Sequence, residues 1–536
     1  MAQFNMNLLS MMIFFPLLGV FLLLFVDKEN QALIKGIGLF FSLMVFSLSL
    51  VLFVSFDPQT AEMQFVESAT WLPELGITYH LGVDGISLLL VVLTSFLTPI
   101  CIIACWEDIT QKVREFIICI LFLETGMIGV FVSLDFFLFY IFWEVMLIPM
   151  YLMIGIWGNP ARRVYAAIKF FIFTMVGSIL MLVAILVLYF YHGAETGNYT
   201  FDILSFYTLD IPFSVQFWLF LAFALAFAIK VPMFPFHTWL PDAHTEAPTV
   251  GSVILAAVLL KMGTYGFLRF NLPLFPEASY YFIPVMCALA VIGIIYGALV
   301  SMVQKDLKRL IAFSSVSHLG FVMLGIFALN VQGVQGGILQ MINHGLSTGA
   351  LFLIVGMLYE RRHTRMIADF GGLSRQLPIF AAFFMIVTLS SIGLPGLNGF
   401  VGEFLILLGA FKSNPAFAVL GATGVILAAC YMLWMFQRVM FGGIVYEENK
   451  KLKDLSIREI GLLIPIVIMI AWIGLYPKTF LSKTETSVNH LLNQVHSRVL
   501  ADKNSGSLLS DKDLISKGVV LSGGCSLSGS SGITVR

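Results

Sequence analysis

The chain has 536 residues, 59% of them hydrophobic and only 11% charged, against roughly 25% charged in a typical soluble domain. A net charge of −1 provides no basic surface for nucleic acid, and the apolar blocks of about 20 residues are long enough to cross a bilayer. An ordinary globular domain is excluded, and an all-α, polytopic membrane protein is predicted.

The first seven residues, Met-Ala-Gln-Phe-Asn-Met-Asn, lack the Lys or Arg that opens a signal peptide. The first apolar run therefore reads as a retained span. Hydropathy places fourteen spans in chain order, at about 7–26, 33–54, 85–105, 113–132, 136–157, 165–190, 214–243, 250–270, 280–302, 309–329, 332–359, 377–411, 415–440 and 458–480. An even number puts both termini on one side. With the N-terminus outside, the inner loops collect eighteen of the 30 Lys and Arg residues, and the outer loops hold Arg269 and Lys412 alone. That split follows the positive-inside rule. The long outer stretches 55–84 and 191–213 carry acids but no Lys or Arg. Residues 482–500 read as an amphipathic helix, and the Ser/Gly-rich end, 501–536, reads as a disordered tail without assigned function.

Six cysteines are scattered without any C-x-x-C pair, and neither G-x-G-x-x-G nor a Walker-type Gly-Lys-Ser/Thr occurs. Iron–sulfur, structural zinc, dinucleotide and ATP sites are therefore not expected in this chain. What does stand out is six ionisable residues near the middle of their spans: Glu144, Lys230, Lys261, His318, His344 and Glu403. A charged residue at a helix centre costs about 2.5–3.5 kcal/mol, so the two acids and two lysines together cost on the order of 10 kcal/mol if unpaired. Either they pair and lock the bundle, or they line a conduction path. Their common depth across many helices favours a path.

Two spans are interrupted at similar depth. Span 7 reads Lys230-Val-Pro232-Met-Phe-Pro235-Phe-His237, where the prolines remove backbone donors. Span 12 reads Gly393-Leu-Pro395-Gly396-Leu-Asn-Gly399-Phe-Val-Gly-Glu403. Such backbone persists in a membrane where protein or a watery cavity satisfies it. The breaks lie five spans apart, so the two helices run in opposite directions, the pattern of an inverted repeat. The expected organisation is N-terminal spans 1–3 over 1–112, a first repeat over 113–270, a second over 280–440, and a last span with its amphipathic end over 441–500.

The chemistry follows from the residue types. Glu144 and Lys230 hold each other ionised as a pair, and separation in an apolar setting favours the neutral form of both. Moving a proton against 100 mV takes about 2.3 kcal/mol, within reach of switching such a pair. His318 and His344 could relay protons, because imidazole titrates near neutral pH. They could also ligate a haem between two helices, or simply be hydrogen-bonded buried histidines. His237 and His244 have metal-ligand chemistry but no supporting cluster. Glu124 either joins the path or caps a neighbouring helix, and Lys169, near a span end, is expected to snorkel.

Several blocks together resemble one family. They are Phe-Trp-Glu144-Val-Met-Leu-Ile-Pro-Met, the run from Lys230 through His-Thr-Trp-Leu-Pro-Asp-Ala-His-Thr-Glu-Ala-Pro, Val-Leu-Leu-Lys261-Met-Gly-Thr-Tyr-Gly, Ser-Ser-Val-Ser-His318-Leu-Gly, Asn-His344-Gly and Leu-Pro-Gly-Leu-Asn-Gly-Phe-Val-Gly-Glu403-Phe. Over about residues 1–500 the chain resembles the antiporter-like subunits of respiratory complex I, NADH–quinone oxidoreductase. Glu403, where two of the three such subunits typically carry a lysine, points to the subunit M branch. Subunits of multi-subunit sodium/proton antiporters are the alternative. The resemblance implies a proton channel in the membrane arm. Glu144 and Lys230 would be its charge pair, Lys261, His318 and His344 its central relay, and Glu403 would stand at the second half-channel. It further implies that this chain holds no cofactor, with FMN, iron–sulfur clusters, NADH and quinone bound by other subunits. The implied partners are other membrane-arm subunits, including the two other antiporter-like ones, and membrane lipids. The implied site is the bacterial inner membrane, with both termini on the periplasmic side.

Overall fold

A computed structural model describes residues 7–444 and 446–503. The expected tail lies outside the described residues from 504 onward, as does Cys525. Helices α1 (Leu8–Leu24) and α2 (Gln31–Ser55) lead into a two-stranded antiparallel hairpin, β1 (Gln64–Leu72) and β2 (Ile77–Val83). This hairpin is a short addition to a chain that is otherwise helical, in keeping with the all-α class. Hydropathy registers 55–84 as a polar gap, yet it contains Val66, Thr70, Ile77, Thr78 and Val83, which suit a strand. Gly76 turns the chain between the strands at φ +65°. The hairpin also caps α1: Glu67 accepts hydrogen bonds from the backbone N–H of Leu9 (2.7 Å) and Ser10 (3.0 Å), placing a carboxylate where unpaired donors and the helix dipole favour one.

Helix α3 (Gly85–Asp108) starts in a capping box of Asp84 and Ser87, and α4 (Val113–Val132) returns beside it. The next apolar segment is divided into α5 (Phe136–Val145) and α6 (Leu147–Trp157). Pro149 has no N–H for the Val145 carbonyl, which places the kink directly after Glu144. Then come α7 (Arg163–Thr196), the single turn α8 (Ile203–Phe206), α9 (Phe213–Lys230) and, after the expected break, α10 (Trp239–Glu246). Short helices α11 (Thr249–Ile254), α12 (Leu260–Gly266) and α13 (Leu272–Leu274) are joined by π-helical turns at Leu255–Leu259 and Phe267–Asn271 into one span. They are followed by α14 (Pro276–Met302), α15 (Leu307–Ile326), α16 (Val331–Arg362) and the turn α17 (Leu373–Gln376). The second expected break falls between α18 (Pro378–Ser391) and α19 (Asn398–Ser413). Helices α20 (Pro415–Met440), α21 (Ile457–Leu475) and α22 (Lys478–Lys503) complete the described chain.

Among the described residues, twelve helical segments are long and apolar enough to cross a membrane. Of the two further expected spans, 7–26 is the 17-residue α1 and 377–411 is the pair α18 and α19. The layering of the bundle decides where charge can sit. Three spans are almost wholly enclosed: Thr249–Leu274 (100% buried), α15 (94%) and α16 (100%), whereas α2, α20 and α21 are each 33% buried. The enclosed helices are rich in Gly and Ser, which let backbones approach closely within a membrane bundle. Lys261, His318 and His344 lie on these three innermost spans.

Arg269 departs from its expected place in an outer loop. It lies in the second π turn, buried, with Nη2 2.6 Å from Asp84 Oδ1, and its Nε donates to the Tyr265 hydroxyl (3.1 Å). Helix α22 covers the stretch 482–500. Its Ser487 hydroxyl accepts from Gly85 N–H (2.9 Å), and Lys483 donates to the Phe56 carbonyl (2.8 Å), so the helix straps the C-terminal end of α2 and the N-terminal end of α3.

Candidate functional site

Glu144 and Lys230 do not close on each other. Glu144, half-buried beside the α5–α6 kink, has an Oε1 with no hydrogen-bond partner, and the fully buried Lys230 Nζ has none either. Lys230 ends α9, and its ammonium sits over the faces of Trp143 (5.2 Å to the centroid) and Phe170 (5.9 Å). A desolvated cation–π contact contributes about 2 kcal/mol. The lysine is thus held beside Trp143, the neighbour of Glu144, rather than on the acid itself.

The backbone freed by the first break is satisfied locally. Trp239 Nε1 donates to the Ile229 carbonyl (2.9 Å). Lys169 does not snorkel: its amine reaches across from α7 to the Thr238 carbonyl (2.9 Å) and Asp242 (2.7 Å). It ties α10 in place and answers the requirement that broken helices in lipid find internal partners.

Four of the six expected residues form one row. The π turn at 255–259 leaves the Ala256 carbonyl free to accept from Lys261 Nζ, which also lies 2.7 Å from His344 Nδ1. Gly263 lets this span approach the end of α9, since a Cβ there would lie 2.7 Å from the Phe227 carbonyl. His344 and His318 have ring centroids 5.8 Å apart. His318 Nδ1 is 3.2 Å from Glu403 Oε1, and the same oxygen accepts from Gln340 Nε2 at 3.1 Å. The row runs Lys261, His344, His318, Glu403 and crosses from the first broken helix's neighbour to the second broken helix.

The second break closes over the acid at its end. Gly393, at φ +74°, places its Cα where an added Cβ would meet Glu403 Oε2 at 2.8 Å. A small polar cavity adjoins the row, lined among others by His318, Gln340, Asn343, His344, Ser347 and Ser391. It admits a water centre over about 10 Å³, roughly the room of one water molecule. The Ser347–Ser390 hydroxyl contact (2.6 Å) and Asn343 Nδ2 bonded to the Asn398 carbonyl (2.8 Å) knit α16 to both sides of the break.

Several members of this site are absent from the sequence expectation. Gln340, Asn343, Ser390, Ser391 and Tyr431 are uncharged, and nothing in one sequence distinguishes them from ordinary helix-packing polar residues. For His244 the sequence suggests metal-ligand chemistry alone. It is buried, stacked on Phe352 (4.7 Å between centroids), and both ring nitrogens lack a partner. His237 packs against Tyr296 (5.0 Å), and no group of three metal-ligating side chains occurs among the described residues. Glu124 caps no helix: both its oxygens are buried without a hydrogen-bond partner. At the end of the bundle where α3 ends and α15 begins, a cavity of about 310 Å³ is bordered by Asp108, Arg163, Glu246, Lys308, Tyr359 and Arg365. There Thr245 Oγ1 and Glu246 Oε2 are also unpartnered, one and two residues after His244.

Comparison with known proteins gives a consistent result. Residues 133–429 match the family described as NADH:quinone oxidoreductase/Mrp antiporter, TM. The NADH-quinone oxidoreductase subunit M of Rhodobacter capsulatus is 47% identical, over 94% of this chain and 100% of its own length. NADH-ubiquinone oxidoreductase chain 4 of Marchantia polymorpha is 46% identical, over 92% and 98%. A chain in the structure of respiratory complex I from Thermus thermophilus with bound NADH superposes with a TM-score of 0.81 at 33% identity, covering 91% of this chain and all of that one.

Proposed function

The chain belongs to the NADH:quinone oxidoreductase/Mrp antiporter membrane family, and on that footing we propose that it is the proton-translocating, antiporter-like membrane-arm subunit of an NADH–quinone oxidoreductase. Its protons move along Glu144, Lys230, Lys261, His344, His318 and Glu403. The observation that carries this reading is the row from Lys261 through His344 and His318, on the most enclosed spans, to Glu403 on the second broken helix.

A proton on Lys261 Nζ passes to His344 Nδ1 across a 2.7 Å contact. The imidazole releases one from Nε2, which has no protein partner, towards the water-sized cavity and His318. His318 hands on to Glu403 through its 3.2 Å contact. Glu144 and Lys230 act as the switch. Closing two unit charges to 4 Å is worth about 4 kcal/mol at an effective dielectric of about 20; giving up the roughly 2 kcal/mol contact with Trp143 leaves about 2 kcal/mol, comparable to the roughly 2.3 kcal/mol needed to move one proton against 100 mV. The cation–π seat on Trp143 is the resting place Lys230 leaves on closure. Glu246, which borders the inner cavity with Lys308 and follows the buried His244 by two residues, supplies access from the inner side.

The remaining expectations belong to the same proposal. Ten of fourteen crossings form two inverted five-helix repeats, 113–270 and 280–440, in a bacterial inner membrane with both termini outside. Partner membrane-arm subunits flank the chain, and flavin, iron–sulfur clusters, NADH and quinone reside in other subunits. The test is made in the assembled enzyme: Glu144→Gln and Lys230→Ala are each expected to cut quinone-linked NADH oxidation and proton pumping together. Normal pumping in both variants overturns the proposal. The family's description also includes the Mrp antiporter. Purification of the chain in a complex lacking flavin and iron–sulfur subunits, but exchanging sodium for protons, decides for that second reading.

A further inference from the structure

An apolar cavity of about 430 Å³ lies between the outer ends of α14, α15, α19 and α20, and no relay residue borders it. Its walls are mainly hydrocarbon, from Ile283, Leu324, Phe327, Ala410 and Phe417, with the Cys287 thiol among them. The polar groups at its outer end are already used. Ser413 accepts from Asn330 Nδ2 (2.9 Å) and donates to the Ala328 carbonyl, while Asn414 caps Ala416 N–H (3.1 Å). An occupant therefore meets apolar walls and spent hydrogen bonds.

Depth, exposure and charge narrow the occupant further. Cys287 lies eleven residues beyond the start of α14 at Pro276, about 16 Å along a helix axis, or about half of a 30 Å hydrocarbon layer. The cavity thus spans one leaflet. Around it Tyr281, Val285, Phe411 and Val419 are each at least half exposed, so this side faces an apolar medium. Beside the mouth stands the exposed Lys412, next to Ser413. Of the two basic residues assigned to the outer loops, Arg269 is buried on Asp84 and Lys412 is exposed; the basic residues of α22 belong to an element that does not line this cavity.

We propose that this cavity binds one acyl chain of an anionic phospholipid of the outer leaflet, whose phosphate headgroup rests on Lys412. The site is separate from the proton row and does not depend on how protons move.

The test uses the purified native complex in phosphatidylcholine nanodiscs. These are doped with phosphatidylglycerol, or with phosphatidylcholine, bearing a diazirine in mid-chain. Irradiation followed by peptide mapping is expected to label residues 283–287 about fivefold more with the anionic probe, the preference one lysine near an anionic headgroup supports. Lys412→Gln is expected to bring that label down to the phosphatidylcholine level. Cys287→Trp, which fills the cavity, is expected to remove the label with both probes, and Ala410→Leu does the same should the tryptophan variant fail to assemble. NADH-linked turnover of the Lys412→Gln enzyme stays unchanged. Equal labelling by both probes, insensitivity to Lys412→Gln, or capture of a neighbouring subunit instead of lipid by a photoreactive residue at Phe417 would each overturn the proposal.

Discussion

Gly393→Ala perturbs the acid end of the row without touching any ionisable residue. The glycine has φ +74°, where an alanine is strained by about 1–2 kcal/mol. Its new Cβ would stand 2.8 Å from Glu403 Oε2, so the carboxylate must retreat by several tenths of an ångström to reach ordinary contact. Glu403 Oε1 is held at 3.2 Å from His318 and 3.1 Å from Gln340, near the long end of the hydrogen-bond range. The retreat costs one of these contacts, about 1.5–3 kcal/mol for a charged group, equivalent to a loss of about tenfold or more in the step they serve. Gly396→Ala is the control. It carries the same kind of strain at φ +92°, but nothing lies within 4 Å of its Cβ. Inverted membrane vesicles energised with NADH, with assembled enzyme measured by its flavin content, separate pumping from assembly. Gly393→Ala is expected to lose about tenfold in pumping while Gly396→Ala stays near the wild-type rate. Equal rates in the two variants would refute the reasoning.

Two other expectations concern buried and half-buried acids. Arg269→Met leaves the Asp84 carboxylate buried without its cation, which costs about 3–5 kcal/mol. Thermal retention of the chain in the purified complex should fall sharply and partly recover in Arg269→Met combined with Asp84→Asn; no recovery would mean that the pair is not what matters. In the connection after α7, burial pushes the Asp202 carboxyl up, but hydrogen bonds from His80 and Ser205 more than offset it and hold it below its ordinary value. Its stabilising contribution is therefore complete above the unfolded-state value of about 3.9 and disappears as pH falls through the lower folded value. Hydrogen exchange of residues 197–210 should accelerate in that acid window in wild type but show no such step in Asp202→Asn.

Much of this architecture is legible in the sequence because lipid imposes few solutions. Long apolar blocks, the Lys/Arg asymmetry and Pro or Gly beside charge located the spans and both breaks. The hairpin 64–83 escaped because an averaged hydropathy sees only that it is polar, while its strand character resides in alternation over a few residues. The π turns around Lys261 escaped because Leu-Ala-Ala-Val-Leu has ordinary helix-forming chemistry. The extra residue per turn follows from packing against α9 and α16. Lys169 was misjudged because snorkelling presumes water nearby, whereas the break offers a free carbonyl and Asp242 closer at hand. Glu144 and Lys230 were legible as residues, but not the aromatic face of Trp143 on which the ammonium sits.

The most direct measurement is the proton yield of the assembled enzyme carrying Lys261→Met. Methionine preserves most of the side-chain length but carries no proton, and it empties the 2.7 Å contact to His344. The expected result is normal assembly and flavin reduction by NADH, with quinone-linked turnover down about tenfold or more and a matching loss of the pH gradient in sealed vesicles. A Lys261→Met enzyme that assembles and acidifies vesicles at the wild-type rate would show that protons do not pass through this row.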